Sequence, residues 1–210
     1  MAGFANTLYS VLQKRRSTNS RVYNITLADI ALIEGTARRY GFPPEWLSNL
    51  IGFETAGTFS PAIQNPSSGA TGLIQFMPST ARDLGTSTAV LKQMSFREQW
   101  QFVEAYLGGK MRSVASKGLY NAATGKVTAK FTQTDLFMLI FYPVSAGNPS
   151  YRFPDNVIRA NNGISTPREY AARALQNAIF KGSVMANTGG LALLIPLAIG
   201  GFIIYKSYYK

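Results

Sequence analysis

The chain has 210 residues, 46% of them aliphatic or aromatic and 15% charged, with no Cys and no His. That length holds one ordinary domain plus appendages, and so few charges on so apolar a chain indicate that part of it meets lipid. Disulfides, thiolate or imidazole metal sites, Cys nucleophiles and Ser-His-Asp arrangements are excluded. Proton transfer near neutral pH is left to carboxylate, Lys or Tyr, and there are ten carboxylates in all.

The net charge of +11 is unevenly spread. Residues 1–25 carry Lys14, Arg15, Arg16 and Arg21 and no acid, an excess that favours anionic lipid, cell-wall polymer or weak, salt-sensitive binding of nucleic acid, or else a plainly solvated arm. Phe4, Leu8, Val11 and Leu12 recur at helical spacing ahead of these cations, the reverse of the order in a secretory signal. The expectation is a basic, amphipathic N-terminal arm over residues 1–25, with the body kept on the cytosolic side of the cell that makes it. No base-reading motif accompanies the arm, so nucleic acid is not an expected partner.

Helix signals follow in order. Thr26, with Asp29 three residues on, opens an amphipathic stretch carrying Ile30, Ile33 and Ala37 that Gly41 closes. Pro43 and Pro44 suit the first turn of a second helix running to about Thr55. A short third helix starts at Pro78 and stops at Gly85. Ser95 and Glu98 form a capping box for a long helix, on which Phe96, Trp100, Val103, Leu107, Met111 and Val114 recur until Gly118. Thr134 opens an apolar helix through Tyr142, and Thr166-Pro167-Arg168-Glu169 opens the last helix of the body, along Tyr170, Ala174, Leu175 and Ala178. Strand alternation is nearly absent, and residues 56–77 and 143–165 read as long loops.

Residues 189–205, GGLALLIPLAIGGFIIY, form an uncharged apolar run. As a helix it spans roughly 25 Å, at the short end of what crosses a bilayer core. Pro196 and the Gly200-Gly201 pair are tolerated in membrane helices, and Tyr205, Tyr208 and Tyr209 with Lys206 and Lys210 suit an interfacial anchor. A buried core helix or a hairpin is the alternative reading.

One acid stands out. Leu47, Leu50, Ile51 and Glu54 share a face of the second helix, so Glu54 extends a stripe that must be buried. The other acids read as caps (Asp29, Glu98, Glu169) or as solvated positions. A carboxyl in an apolar pocket has a raised pKa because its charged form loses hydration, and it can then donate a proton near neutral pH. Periodicity alone leaves two readings open, this one and an end-of-helix Glu that bends out to water.

The text around it is more specific. Glu54-Thr55-Ala56-Gly57-Thr58-Phe59-Ser60-Pro61, then Asn65, then Ser68-Gly69-Ala70-Thr71-Gly72-Leu73-Ile74-Gln75-Phe76-Met77-Pro78-Ser79-Thr80-Ala81 closely resembles the signature of lytic transglycosylases with a goose-type lysozyme fold. The resemblance covers about residues 27–180, and Leu84-Gly85-Thr86-Ser87 followed by the long helix from Ser95 is similar to the phage-associated branch. It implies an all-α, lysozyme-like domain over residues 26–180. A linker at 181–188, one transmembrane helix at 189–205 and a short basic tail at 206–210 complete the expected organisation.

Carried over by position, the resemblance implies Glu54 as the catalytic acid and base, and Gln75 and Met77 as lining of the groove at the scissile bond. Tyr142, in Phe141-Tyr142-Pro143-Val144-Ser145-Ala146-Gly147, matches with altered spacing the family's Tyr-Asn-Ala-Gly turn, whose Tyr hydroxyl approaches the catalytic Glu. Pro66 stands where the family often has a serine, and Ser68 is the hydroxyl nearby for the substrate N-acetyl contact. Two-carboxylate glycosidases place a second acid roughly 5 to 9.5 Å from the first, and the motif supplies none at a fixed place. The resemblance therefore implies a single-acid cleavage of peptidoglycan between N-acetylmuramic acid and N-acetylglucosamine with a 1,6-anhydro product, needing no metal or cofactor. The expected partners are glycan strands, a bilayer met through residues 189–205, and virion membrane or capsid proteins of a phage. The expected location is a virion membrane or, failing that, a bacterial inner membrane. Hydrolysis by a muramidase and a non-catalytic glycan-binding role are the alternatives.

Overall fold

The computed structural model describes residues 3–181. Helix α1 (Phe4–Arg16) buries Leu8 and Leu12 completely in the same core as the helices that follow. The N-terminal stretch is an amphipathic helix, but one built into the body's packing rather than a separate arm. Helix α2 (Leu27–Tyr40) begins at the expected capping box: the Thr26 hydroxyl accepts from the Asp29 N–H at 3.1 Å, and Asp29 Oδ2 accepts from the Thr26 N–H at 2.9 Å. Helix α3 (Pro44–Glu54) has Pro44 in its first turn, where the missing N–H costs nothing.

Two short helices follow the loop, α4 (Pro78–Asp83) and α5 (Thr88–Gln93), the latter capped by the Ser87 hydroxyl on the Val90 N–H. Helix α6 (Phe96–Ser113) starts at the Ser95–Glu98 box and passes through a 3-10 turn, Ala115–Lys117, to Gly118. A small antiparallel hairpin, β1 (Tyr120–Asn121) and β2 (Lys126–Val127), pairs Tyr120 with Val127 and Asn121 with Lys126. Its two-residue strands are too short to show alternation in the sequence.

Helix α7 (Gln133–Phe141) departs from expectation at both ends. Thr132, not Thr134, is its cap, because Asp135 reaches back to the Thr132 N–H at 2.8 Å and completes a third capping box. Asp135 is consequently buried rather than solvated, and Tyr142 lies just outside the helix, with φ −149° and ψ 77°. The loop expected at 143–165 contains a further helix, α8 (Asp155–Ala160). Helix α9 (Pro167–Leu175) begins at Thr166 as expected, with the Thr166 hydroxyl accepting from the Glu169 N–H.

Helix α3 is the centre of the body and packs against α2, α7 and α9. Leu47, Leu50 and Ile51 are completely buried there. Asn49, on the same helix, exchanges two hydrogen bonds with the Phe180 backbone, each at 3.2 Å, and Phe180 stacks on Phe4 with ring centroids 5.1 Å apart. Both ends of the described chain are thereby fastened to one region. Among the described residues no helix is long and apolar enough to cross a membrane. The expected linker beyond Lys181, the membrane helix and the basic tail lie outside the described residues.

If α1 belongs to the core, Leu12→Ala removes fully buried methyl groups and is expected to lower stability by about 2–5 kcal/mol in urea unfolding. A change within about 0.5 kcal/mol, the ordinary value for a surface site, would show α1 to be dispensable.

Candidate active site

Glu54 is the last residue of α3. Its backbone follows Leu47, Leu50 and Ile51 onto the buried face, and the residue is only 4% exposed. The chain leaves it through a turn held by Thr55, whose hydroxyl donates to the Ile51 carbonyl at 2.7 Å and accepts from the Phe59 N–H at 2.9 Å. Ala56 and Phe59 have positive φ in this exit, on either side of Gly57, and these two non-glycine residues are backbone strain of the kind found at functional sites. The other two buried carboxylates, Asp29 and Asp135, are committed to backbone N–H groups, and Asp83, on α4, is exposed. Among the described residues no three His, Cys, Asp or Glu side chains gather as a metal ion would require.

The loop after Glu54 is organised by two polar side chains. Asn65 Oδ1 accepts from the N–H groups of Ser67 and Ser68 at 2.9 and 3.1 Å, and the Asn65 N–H donates to the Ala70 carbonyl at 2.8 Å. Gln99, completely buried on α6, reaches across to the other side: its Oε1 accepts from the Leu73 N–H at 2.7 Å, and its Nε2 donates to the carbonyls of Pro61 and Leu91 at 3.0 and 2.9 Å. Gly72 is required by this clamp, because a Cβ there would collide with the Gln99 amide, and its φ of +86° favours glycine in any case. Thr71 and Phe76 close the segment with reciprocal backbone bonds of 2.9 and 2.8 Å.

The sequence-derived site residues take distinct places on this frame. Gln75 is 3% exposed, sits at φ +50°, and donates from its amide to the Gly72 carbonyl at 3.1 Å, so it shapes the loop from inside. Met77 is half-buried at the cap of α4. Ser68 is also half-buried, and its hydroxyl accepts from the Ala70 N–H at 3.3 Å. Tyr142 is buried at the end of α7, edge-on to Phe153 at 5.3 Å and tilted against Tyr151 at 5.8 Å.

Tyr170, on α9, lies near Glu54, although its place in the sequence is that of an ordinary core residue. Its ring stacks on Phe141 at 4.2 Å and meets the edge of Phe53 at 5.4 Å. Burial pushes its phenol well above the usual value of 10, and the charge of nearby Glu54 pushes it further the same way. It is therefore a hydroxyl at neutral pH, and among the described residues that hydroxyl has no hydrogen-bond partner. Tyr170 looked like one more member of an amphipathic stripe, and only packing brings it to Glu54. Gln99 was hidden for the same reason, as a polar letter in a long helix; the glycine it faces, Gly72, is the trace it leaves in the motif.

A family model described as the transglycosylase SLT domain matches residues 31–135, half of the chain. The chain belongs to this family. No curated protein and no solved structure matches it. The SLT match runs from α2 into the first turn of α7 and includes Glu54, Ser68, Gln75, Met77 and Gln99, whereas Tyr142 and Tyr170 come after it. SLT domains are lytic transglycosylases, and this protein is an enzyme of that class, acting on the glycan strands of peptidoglycan.

Gln99→Leu leaves one N–H and two carbonyls of the loop frame without their partner and is expected to cost about 2–4 kcal/mol of stability, measured by urea unfolding. Unchanged stability would show that the loop holds itself. Tyr170→Phe removes a hydroxyl with no partner, so the melting temperature should move by no more than about 3 °C while peptidoglycan turnover falls roughly tenfold. A large loss of stability with full turnover would make the hydroxyl structural.

Proposed function

We propose that this SLT enzyme cleaves the β-1,4 bond between N-acetylmuramic acid and N-acetylglucosamine and closes a 1,6-anhydro ring on the muramyl product, with Glu54 as its single acid and base. The observation that carries this reading is the withdrawal of Glu54 from water, at the mouth of a clamped loop and beside Tyr170. A carboxyl in such surroundings is disposed to keep a proton, since its charged form has lost hydration. Glu54 gives that proton to the glycosidic oxygen as the bond to the muramyl C1 breaks, and the muramyl N-acetyl carbonyl stabilises the cation left at C1. The carboxylate then takes the proton of the muramyl C6 hydroxyl while that oxygen bonds to C1. The ring closes without water and Glu54 recovers its proton. In this reading Met77, Ser68 and Tyr142 line the groove, Gln75 supports it, and the Tyr170 hydroxyl steadies Glu54 as its charge changes.

The proposal extends to where the enzyme works. Residues 189–205 are uncharged and apolar and are followed by Lys206, Tyr208, Tyr209 and Lys210, which supports a single membrane helix with an interfacial anchor. A helical catalytic body that takes in the basic N-terminal helix, followed by a linker and this membrane helix, fits a phage virion protein held in a membrane. Such a protein meets peptidoglycan during genome entry and opens it locally, with virion membrane or capsid proteins as neighbours. The bacterial inner membrane is the other setting that the same anchor allows.

Purified peptidoglycan incubated with the full-length protein in detergent is expected to release fragments with anhydromuramyl ends, identified by mass spectrometry. Glu54→Gln should reduce their yield roughly a thousandfold while remaining folded. Reducing muramyl ends would instead make the enzyme a muramidase, and equal yields from the variant would remove Glu54 from the chemistry.

A further inference from the structure

The turn that follows Tyr142 is held from outside by charged side chains. Residues 143–145 form a short 3-10 turn, and the N–H and hydroxyl of Ser145 both donate to the Tyr142 carbonyl, at 3.0 and 2.8 Å. Between Tyr142 and Gly147, φ +85°, the chain returns to the first turn of α7, where the Gly147 N–H donates to Asp135 Oδ1 at 2.6 Å. The other oxygen of that carboxylate accepts from the N–H and hydroxyl of Thr132. Asp135 therefore ties the start of α7 to the turn beyond its end. From the opposite side Lys117, at the end of the 3-10 turn after α6, places its Nζ on the carbonyls of Val144 at 2.6 Å and Ala146 at 2.9 Å. Leu119 packs beneath Gly147, where a Cβ would stand 3.3 Å from Leu119 Cδ1.

We propose that Lys117 and Asp135 are positioning residues that act through this turn to fix Tyr142 for the reaction, Asp135 holding its N–H side and Lys117 its carbonyl side. An ammonium carries three donors, and two of them go to the carbonyls of Val144 and Ala146, while the turn's own N–H groups serve the carbonyls of Tyr142, Pro143 and Ser145. Lys117 is exposed and bonds to the turn rather than to Tyr142, so its influence on catalysis runs through the geometry of the turn. The inference rests on the reading of Tyr142 as a groove residue.

The test is a double-mutant cycle on the full-length enzyme, with kcat and KM measured by release of soluble fragments from peptidoglycan. Lys117→Met keeps the length of the stem and removes the charge. It is expected to lower kcat 10- to 100-fold, the scale of a small misplacement at an active site, with KM within about twofold and an ordinary cooperative melt. Lys117→Arg should recover most of that loss. Because Lys117 acts through Tyr142, adding Lys117→Met to Tyr142→Phe should cost less than it does in the wild type. Fully additive losses, or unchanged kcat in Lys117→Met beside an impaired Tyr142→Phe, would overturn the latch while leaving Tyr142 in the site. Wild-type kcat in Tyr142→Phe would overturn both.

Discussion

A carboxylic acid taken out of water loses several kcal/mol of hydration in its charged form, and Glu54 is held in that condition at the end of α3. The surrounding architecture follows from keeping it there. α3 is enclosed by α2, α7 and α9; the rings of Phe53, Phe141 and Tyr170 form a packed aromatic group beside the acid; and the exit from the helix is fixed by both hydrogen bonds of the Thr55 hydroxyl. Remote parts of the chain contribute as well. α1 and Phe180 close over the same region, through Phe4 and through Asn49 on α3.

The loop that faces the acid has almost no regular structure, so its shape depends on side chains from elsewhere. Gln99 brings two of its backbone groups, the Leu73 N–H and the Pro61 carbonyl, and the Leu91 carbonyl of α5 to one amide, which ties the loop to α6 and makes Gly72 obligatory. The turn after Tyr142 repeats the principle with charge in place of an amide, using Asp135 and Lys117. In both cases irregular backbone is held by a side chain anchored in a helix or at its end.

Much of this frame is legible in the sequence because local chemistry writes it. The boxes at Thr26–Asp29 and Ser95–Glu98 need only residues three apart, and both form as read. Thr132 and Thr134 can both cap a helix, and the choice between them depends on Asp135 reaching back to Thr132. α5 and α8 are six residues each, too short for a hydrophobic period to declare itself. The stripe of Leu47, Leu50, Ile51 and Glu54 leaves both a buried acid and one bent out to water open, and the structure buries it. What the sequence hides is contact between distant segments. Nothing local distinguishes Tyr170 from its neighbours on α9, Gln99 from other polar residues of α6, or Lys117 from an ordinary surface lysine.

On the proposed mechanism, Glu54 is buried for chemistry and at the expense of the fold. Equilibrium unfolding of the wild type and Glu54→Gln, with urea and in parallel with fragment release from peptidoglycan, tests it directly. An amide of the same size removes the cost of hiding an ionisable group, so the variant is expected to be as stable as the wild type or more so, yet inactive. A variant that unfolds at markedly lower urea while still releasing fragments would make Glu54 a structural residue and contradict the account.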